Sequence, residues 1–191
     1  MVGTVGVLAL QGDFARHQAV LAELGCDSRM VRYPAELQGL AALIIPGGES
    51  TTISKQLDRA DLRPAVAAFG RERPIMGTCA GLILMARDPS DDRVHSLNLL
   101  DVVVARNGWG RQVHSFTAPI AVQLNGKVDT VPAIFIRAPR IREVGPEVEI
   151  LARIGDEPVL VRQKPHVGMS FHPELSEDLH IHEFFLKAVA A

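Results

Sequence analysis

The hydrophobic and polar positions in the first half of the chain alternate between short apolar runs and helical patterns. The apolar runs predict strands at residues 4–10, 27–31 and 41–45 and around Ile75. The helical patterns run from Asp13 to a stop at Gly25, over 50–59 and over 62–69. We expect Ser50 or Thr51 to cap the second helix. This alternation predicts a mostly parallel sheet with helices on both faces and ligands at the carboxyl ends of the strands.

The second half of the chain is richer in strand patterns. Short strand-like runs lie at 102–104, 118–124, 133–136, 148–154, 158–162 and 167–171. We expect them to continue the same sheet, partly antiparallel, after a polar loop at 88–92, and a last helix is predicted at 179–189. The sequence therefore predicts one domain, residues 1–191, with a three-layer α-β-α architecture around a mostly parallel, mixed sheet.

Composition narrows the class of protein. The 191 residues are 47% hydrophobic and 22% charged, and the net charge of −2 gives no electrostatic case for nucleic acid or an anionic membrane. No apolar segment approaches the roughly 20 residues that span a bilayer, and the N-terminus lacks a signal-peptide pattern. The two cysteines, Cys26 and Cys79, lie far apart and form no disulfide framework. These features predict a cytoplasmic protein.

Cys79 lies in the pattern Gly-x-Cys-x-Gly, between the strand around Ile75 and a helix that is predicted to begin at Ala80. This is the cysteine form of a nucleophile elbow, in which a strained strand-to-helix turn exposes the nucleophile above the sheet edge. Small flanking residues let the strand and the helix pass closely. The helix that follows directs its N-terminal N–H groups at the sulfur. A tight turn with an inert, packed cysteine is the alternative.

A cysteine nucleophile needs a base, and the base needs an orienting group. Of seven histidines, His172 has the best context, because it directly follows a predicted strand and precedes Pro173 and Glu174. The Glu174 carboxylate can turn back to the imidazole Nδ1–H, which leaves Nε2 for the sulfur. The other histidines are interpreted as solvent-facing or locally hydrogen-bonded groups, among them His17, His95, His114 and His166. His180 and His182 face different sides of a helix, and no metal site or cofactor is predicted.

The loop Pro46-Gly47-Gly48-Glu49-Ser50 follows a predicted strand and suits an oxyanion hole. Paired glycines let a backbone N–H turn inward and let a substrate approach closely. The predicted donors are the N–H groups of Gly48 and Ala80. A phosphate-binding loop is disfavoured, because no Lys-Ser/Thr follows Gly48 and the dinucleotide-binding glycine spacing is absent. Asp91 and Asp92 are interpreted as a solvated loop rather than a cation site.

Several motifs together resemble one family, the glutaminase subunits of two-component pyridoxal 5′-phosphate synthases, within the class I (triad) glutamine amidotransferases. The motifs are Gly-Val-Leu-Ala-Leu-Gln-Gly (6–12), Pro-Gly-Gly-Glu-Ser-Thr-Thr (46–52), Gly-Thr-Cys-Ala-Gly-Leu (77–82), Val-Val-Val-Ala-Arg-Asn (102–107), Gly-Arg-Gln-Val (110–113), Phe-Ile-Arg-Ala-Pro (135–139) and Ser-Phe-His-Pro-Glu-Leu (170–175). The resemblance implies a flavodoxin-like fold and hydrolysis of L-glutamine to glutamate and ammonia. It also implies a synthase subunit as partner, in a hetero-oligomeric complex that builds the vitamin B6 cofactor.

The resemblance also assigns roles by position. It implies that Cys79 is the nucleophile, His172 the base and then the acid, and Glu174 the orienting carboxylate. Further positions are implied to line the glutamine site: Gly47, Gly48, Glu49, Arg106, Ile136 and Arg137. An arginine suits the α-carboxylate of the substrate, and the sequence leaves open which of the two does this.

Two further expectations come from the same resemblance. Gln11 and Gly12 are implied to lie at the contact with the synthase. Trp109 departs from the residue usual in relatives and bears on the shape of the glutamine pocket.

Other functions remain open at this point. Another class I glutaminase subunit, feeding histidine or purine synthesis, would carry the same elbow and His-Pro-Glu motif. A DJ-1/PfpI-like thiol protein would have a similar sheet, but such proteins usually place histidine directly after the elbow cysteine, where this chain has Ala80. A non-catalytic binding module is the third alternative.

Overall fold

The structure is a computed structural model that describes residues 2–106 and 115–190. The helices are α1 (Phe14–Glu23), α2 (Ser50–Arg59), α3 (Leu62–Glu72), α4 (Ala80–Met85) and α5 (His180–Ala190). The first strands are β1 (Val5–Leu8), β2 (Ser28–Val31), β3 (Ala42–Ile45), β4 (Ile75–Thr78), β5 (Ala86–Asp88) and β6 (Leu100–Ala105). The later strands are β7 (Ser115–Leu124), β8 (Lys127–Ile136), β9 (Arg140–Val144), β10 (Glu149–Ile154), β11 (Glu157–Gln163) and β12 (His166–Met169).

Nine strands form one mixed sheet in the order β2-β1-β3-β4-β12-β11-β10-β7-β8. The first five strands in this order pair in parallel, and the remaining four pair antiparallel. Strands β1, β3, β4, β12 and β8 therefore all end at the same edge of the sheet. The mixed sheet expected from the sequence is confirmed, with half of its strand pairings parallel.

Two apolar cores lie on the two faces of this sheet. Alternate residues of the parallel strands, such as Val5 and Val7, face α1 and α5, and the intervening ones, such as Leu8 and Leu43, face α2, α3 and α4. Because the strands are buried on both faces, they are near-continuous apolar runs in the sequence. This gives the predicted three-layer α-β-α architecture.

The second half differs from the sequence expectation in one respect. We expected all of its strands to join the main sheet, but β5, β6 and β9 form a separate three-stranded sheet. Strand β6 pairs in parallel with β5 and antiparallel with β9, two strands that the sequence analysis did not predict. Their alternating or exposed residues carry weak strand signals. The consequence for the site is that Arg106, directly after β6, is presented by this second sheet.

The helix boundaries mostly follow the predictions, with one correction at α2. Neither Ser50 nor Thr51 caps this helix: the N-cap is Glu49, whose side chain accepts a hydrogen bond from the Thr52 backbone N–H at 2.9 Å. Among the described residues, no helix is long and apolar enough to cross a membrane. The single-domain organisation and the cytoplasmic location stay predictions.

Candidate active site

Cys79 occupies a strained corner between β4 and α4. Its backbone has φ 49° and ψ −100°, in the region that L residues rarely adopt. The flanking glycines are required by contact: a Cβ on Gly81 would lie 2.1 Å from the Ile45 carbonyl oxygen, and one on Gly77 would lie 2.7 Å from the Gly81 backbone. The structure therefore has the geometry of the nucleophile elbow that the Gly-x-Cys-x-Gly pattern predicts.

Backbone hydrogen bonds bring the elbow and the His-Pro-Glu segment together. Because β4 and β12 are neighbours, Cys79 N–H donates to the Met169 carbonyl at 2.8 Å at the end of β12. Three residues farther on, His172 N–H donates to the Ile134 carbonyl of β8 at 2.9 Å. His172 Nδ1 lies 2.7 Å from Glu174 Oε1, and both side chains are nearly fully buried.

The electrostatics of His172 match an imidazole held between a sulfur and a carboxylate. Burial alone lowers the pKa of His172, but its hydrogen bonds to Cys79 and Glu174, with the charges of both groups, raise it to about 10. Both neighbours therefore favour the protonated imidazole. A protonated histidine beside a cysteine is one of the arrangements that activate a cysteine nucleophile.

The glycine loop after β3 lies directly against this pair. A Cβ on Gly47 would be 2.3 Å from His172 Cε1 and 3.3 Å from Cys79 Cβ, so the loop backbone touches both side chains. Gly48 has φ 154°, and a Cβ there would meet the Gln11 side-chain oxygen at 2.5 Å. The structure thus places Gly47 and Gly48 where the glutamine site was expected, and the oxyanion role of Gly48 and Ala80 stays a prediction.

Gln11 and Gly12, expected at a partner contact, pack on the same loop. Gln11 Oε1 accepts a hydrogen bond of 2.7 Å from the Glu49 backbone N–H. Gly12 has φ 101°, and any Cβ there would lie 1.8 Å from the Gly47 carbonyl oxygen. A displacement of Gln11 or Gly12 would therefore also displace the glycine loop that contacts Cys79. Their role at an interface is not tested by the chain alone.

Glu49 and Arg106 form an ion-pair network at the mouth of the site. Glu49 Oε1 accepts from Arg106 at 2.7 Å, and its Oε2 accepts from Thr51 and Thr52. Burial works against ionisation of Glu49, but these hydrogen bonds and the Arg106 charge lower its pKa to about 2. Arg106 also pairs with Asp91 at 2.7 Å. Asp91 is therefore paired and only partly exposed, so the interpretation of Asp91 and Asp92 as a solvated loop is confirmed only for the exposed Asp92.

These groups surround a cleft of about 230 Å³. Its lining residues are Gln11, Asp13, Gly48, Glu49, Ser50, Cys79, Ile83, Arg106, Ile136, Arg137 and His172. Ile136 and Arg137 come from the end of β8, and Arg137 has φ 43°. Among the described residues, no carboxylate pairs with Arg137. Trp109 and His114 lie outside the described residues.

Sequence reasoning missed several groups around the site. Asp13, Ser50 and Ile83 line the cleft, and a short polar loop or an apolar helix position gives no signal for that. Single atoms of Asp13, His172 and Glu174 lie within 4.8 Å of one another, as metal ligands would. However, His172 and Glu174 are hydrogen-bonded to each other, which accounts for their proximity without an ion.

Two histidines were misinterpreted from the sequence. His17 is fully buried rather than solvent-facing, and its partners His182 and Thr78 are distant in sequence. His166 is also buried, and its Nδ1 accepts from the Ile75 backbone N–H at 3.2 Å. His95 is exposed beside Asp58, and His180 beside Asp178, as expected for surface groups. Helical periodicity alone marks His17 as inward-facing, but not its partners.

Comparison with known proteins gives the family context. Residues 7–191 match the model of the SNO glutamine amidotransferase family. Curated relatives include the pyridoxal 5′-phosphate synthase subunit PdxT of Pelotomaculum thermopropionicum, 48% identical over 96% of this chain and 93% of that protein. The PdxT of Thermus thermophilus is 48% identical over 98% of both chains.

The fold of this chain is similar to those of solved structures. A crystal structure described as a glutamine amidotransferase superposes with a TM-score of 0.91 at 43% identity, over 98% of this chain and 99% of that one. The PurLQS structure from Thermotoga maritima matches with a TM-score of 0.69 at 17% identity, over 100% of this chain and 96% of that one. This more distant likeness concerns the fold alone.

Proposed function

The chain belongs to the SNO glutamine amidotransferase family, and we propose that Cys79, His172 and Glu174 carry out its glutaminase reaction. The observation that carries the proposal is one buried imidazole 2.7 Å from a buried carboxylate, with the same glycine loop in contact with both this imidazole and the elbow cysteine. The reaction is hydrolysis of L-glutamine to L-glutamate and ammonia.

The first half-reaction forms a thioester. The Cys79 thiolate attacks the side-chain carbonyl carbon of glutamine, and the carbonyl oxygen becomes an oxyanion. The backbone N–H groups of Gly48 and Ala80 stabilise this charge, since Ala80 is the first residue of α4 and its N–H has no acceptor within the helix. The His172 imidazolium gives its Nε2 proton to the amide nitrogen. The C–N bond breaks, ammonia leaves, and a γ-glutamyl thioester remains on the sulfur.

The second half-reaction releases glutamate. Neutral His172 now takes a proton from water through Nε2, and the hydroxide attacks the thioester carbon. The C–S bond breaks, the Cys79 thiolate and the His172 imidazolium re-form, and the released γ-carboxyl group loses its remaining proton to solvent as glutamate leaves. Throughout, Glu174 Oε1 holds Nδ1–H, so that the proton moves only at Nε2.

The α-carboxylate of glutamine binds Arg137 in this proposal. Arg106 already faces two carboxylates, those of Glu49 and Asp91, so most of its charge is compensated. Arg137 lines the same cleft with no carboxylate partner among the described residues, and its guanidinium offers the paired donors that a carboxylate accepts. The Glu49 carboxylate supplies negative charge for the α-ammonium group. Ile136 contributes apolar surface to the same cleft.

The ammonia is supplied to pyridoxal 5′-phosphate synthesis. The curated relatives that span nearly the whole chain are named as PdxT subunits of that synthase. We propose that this chain docks on a synthase subunit in a hetero-oligomeric complex in the cytoplasm, with Gln11 and Gly12 at the contact. Support comes from their packing, because both touch the glycine loop and so connect a docking surface to the site.

Ammonia release from glutamine, measured with and without the candidate synthase subunit, tests this function. We expect release by the native chain with the synthase present and its loss in Cys79→Ala. The Cys26→Ala variant is the matched control, because Cys26 is the other free cysteine and lies after α1, away from the cleft. Release by Cys79→Ala at the native rate would refute the proposed nucleophile. Stimulation by an acceptor subunit of histidine or purine synthesis, and none by the synthase, would refute the proposed partner.

A further inference from the structure

Behind the catalytic carboxylate lies a fully buried pair of imidazoles. His17, from α1, and His182, from α5, both have 0% exposure. His17 Nδ1 lies 3.0 Å from His182 Nε2. Its other ring nitrogen, Nε2, lies 3.3 Å from the hydroxyl of Thr78, the residue before the nucleophile, and 3.5 Å from Glu174 Oε2. The reaction described above uses neither histidine.

The second carboxylate oxygen of Glu174 lacks a hydrogen bond. Oε1 is occupied by His172 Nδ1, whereas Oε2 is buried and has no hydrogen-bond partner among the described residues. An unpaired charged oxygen in a buried site is costly. His17 Nε2 lies 3.5 Å from this oxygen, and catalytic hydrogen bonds that are long in a free enzyme often tighten when substrate binds.

Charge and tautomer make His17 a suitable donor. Burial, together with His182 and the charged His172, lowers the pKa of His17 well below its usual value, and burial lowers that of His182 to about 4. Both rings are therefore neutral at pH 7. If His17 carries its proton on Nε2, this N–H lies 3.3 Å from the Thr78 hydroxyl oxygen and 3.5 Å from Glu174 Oε2 and can donate to both, while Nδ1 accepts from His182 Nε2–H. In the opposite arrangement, His17 carries its proton on Nδ1 and His182 on its own Nδ1. A His17 lone pair would then face the carboxylate, and His182 Nδ1–H would be a buried donor with no partner among the described residues.

We propose that His17 is a positioning residue for the glutaminase reaction: its Nε2–H holds Glu174 Oε2, and His182 fixes its tautomer. A neutral donor orients the carboxylate without cancelling its charge, so Glu174 keeps its full attraction for the His172 imidazolium. A lysine or arginine at this place would compete for that charge. Once His17 Nε2–H closes on Oε2, a continuous chain of polar contacts runs from α5 through α1 to Glu174 and His172.

Variants of His17 separate positioning from packing, and their kinetic part depends on the proposed glutaminase function. In His17→Gln the side-chain amide nitrogen can occupy the position of the histidine Nε2. In His17→Asn the shorter side chain places its amide nitrogen only at the position of Nδ1. We expect His17→Asn and His17→Leu to lower kcat about 10- to 100-fold, the factor of a hydrogen bond to a charged group, with KM within about twofold. His17→Gln should recover most of kcat.

A second readout follows the pairing of sulfur and imidazole. In the described part of the chain, Cys79, Glu174 and Asp13 lie beside His172, Glu49, Arg106 and Arg137 line the same cleft, and His17 and His182 lie behind the Glu174 carboxylate. If Glu174 turns away, the His172 imidazolium is less stable. We expect the midpoint of Cys79 alkylation against pH to rise by about one unit in His17→Asn but not in His17→Gln. His166→Asn is the control, because His166 is also buried but lies beside the start of β4, away from Cys79. This variant should leave the alkylation midpoint unchanged.

The proposal remains testable if a variant does not fold. Nitrogen-15 NMR of the native chain reports the tautomer directly: Nε2–H on His17 supports the proposal, and Nδ1–H or a charged ring overturns it. A folded His17→Asn with native kcat and a native alkylation midpoint also overturns it, as does a His17→Gln variant no better than His17→Asn. Failure of the native chain to release ammonia refutes the glutaminase function instead, and the NMR result stands apart from it.

Discussion

Replacing Gly47 with alanine should disable the base although no triad residue is changed. A Cβ on Gly47 would lie 2.3 Å from His172 Cε1 and 2.9 Å from its Nδ1, whereas ordinary contact begins at 3.4 Å. The loop cannot easily retreat, because the Gly47 carbonyl packs against Gly12. The imidazole must therefore move by about 1 Å, and a displacement of that size costs about 100-fold in rate.

The assay for this variant is kcat for ammonia release in the presence of the synthase subunit, with thermal unfolding as the check on folding. Gly145→Ala is the matched control: the three atoms nearest to its Cβ all belong to the Asp101 side chain, which does not line the cleft, so the same crowding arises away from the site. We expect the control to keep native kcat. A folded Gly47→Ala with kcat within about twofold of the native value would show that the imidazole does not work from the position seen here.

Three further changes have expected outcomes. Glu174→Gln removes a charge that keeps the pKa of His172 near 10, so NMR titration should show His172 losing its proton at lower pH than in the native chain; an unchanged titration would contradict the pairing. Because the pKa of His172 lies above the usual 6.5, protonation of His172 stabilises the folded state fully below pH 6.5, and this stabilisation is lost as pH rises toward 10. The free energy of unfolding of Glu174→Gln should therefore depend less on pH in that range. Arg137→Met should raise KM for glutamine at least about tenfold, the effect of losing a charged hydrogen bond, whereas the exposed Arg153→Met should not; equal KM values would exclude Arg137 as the carboxylate group. The pKa of Glu49 is lowered from 4.5 to about 2, so the stability that its charge contributes is present above pH 4.5 and is lost as pH falls toward 2. Glu49→Gln should remove this acid dependence of the unfolding free energy, measured by urea titration. An identical acid dependence in the variant would contradict the Glu49–Arg106 pairing.

The elbow and the sheet were predictable because each rests on local pattern. Continuous apolar strands, a glycine on either side of Cys79 and a histidine directly after a strand all have short-range physical causes, and parallel strands bring their carboxyl ends together. Position along the chain therefore predicted which loops meet.

What the sequence did not predict depends on partners distant in the chain. Glu49 pairs with Arg106, which is presented by a second sheet that alternating, exposed residues barely signal. The pairing of His17 with His182 joins residues 165 positions apart, and helical periodicity does not show which buried histidines meet. Such polar contacts are fixed by tertiary packing, which single-sequence patterns do not record.

Covalent labelling with a glutamine-analogue alkylator, read by peptide mass spectrometry, tests the central claim most directly. The account predicts one adduct, on Cys79, with none on Cys26, blocked by excess L-glutamine and slowed strongly in a His172→Ala variant with the synthase present. Labelling of Cys26 in preference to Cys79, or labelling of Cys79 that neither glutamine nor loss of His172 affects, would contradict the assignment of this sulfur and imidazole as the glutaminase site.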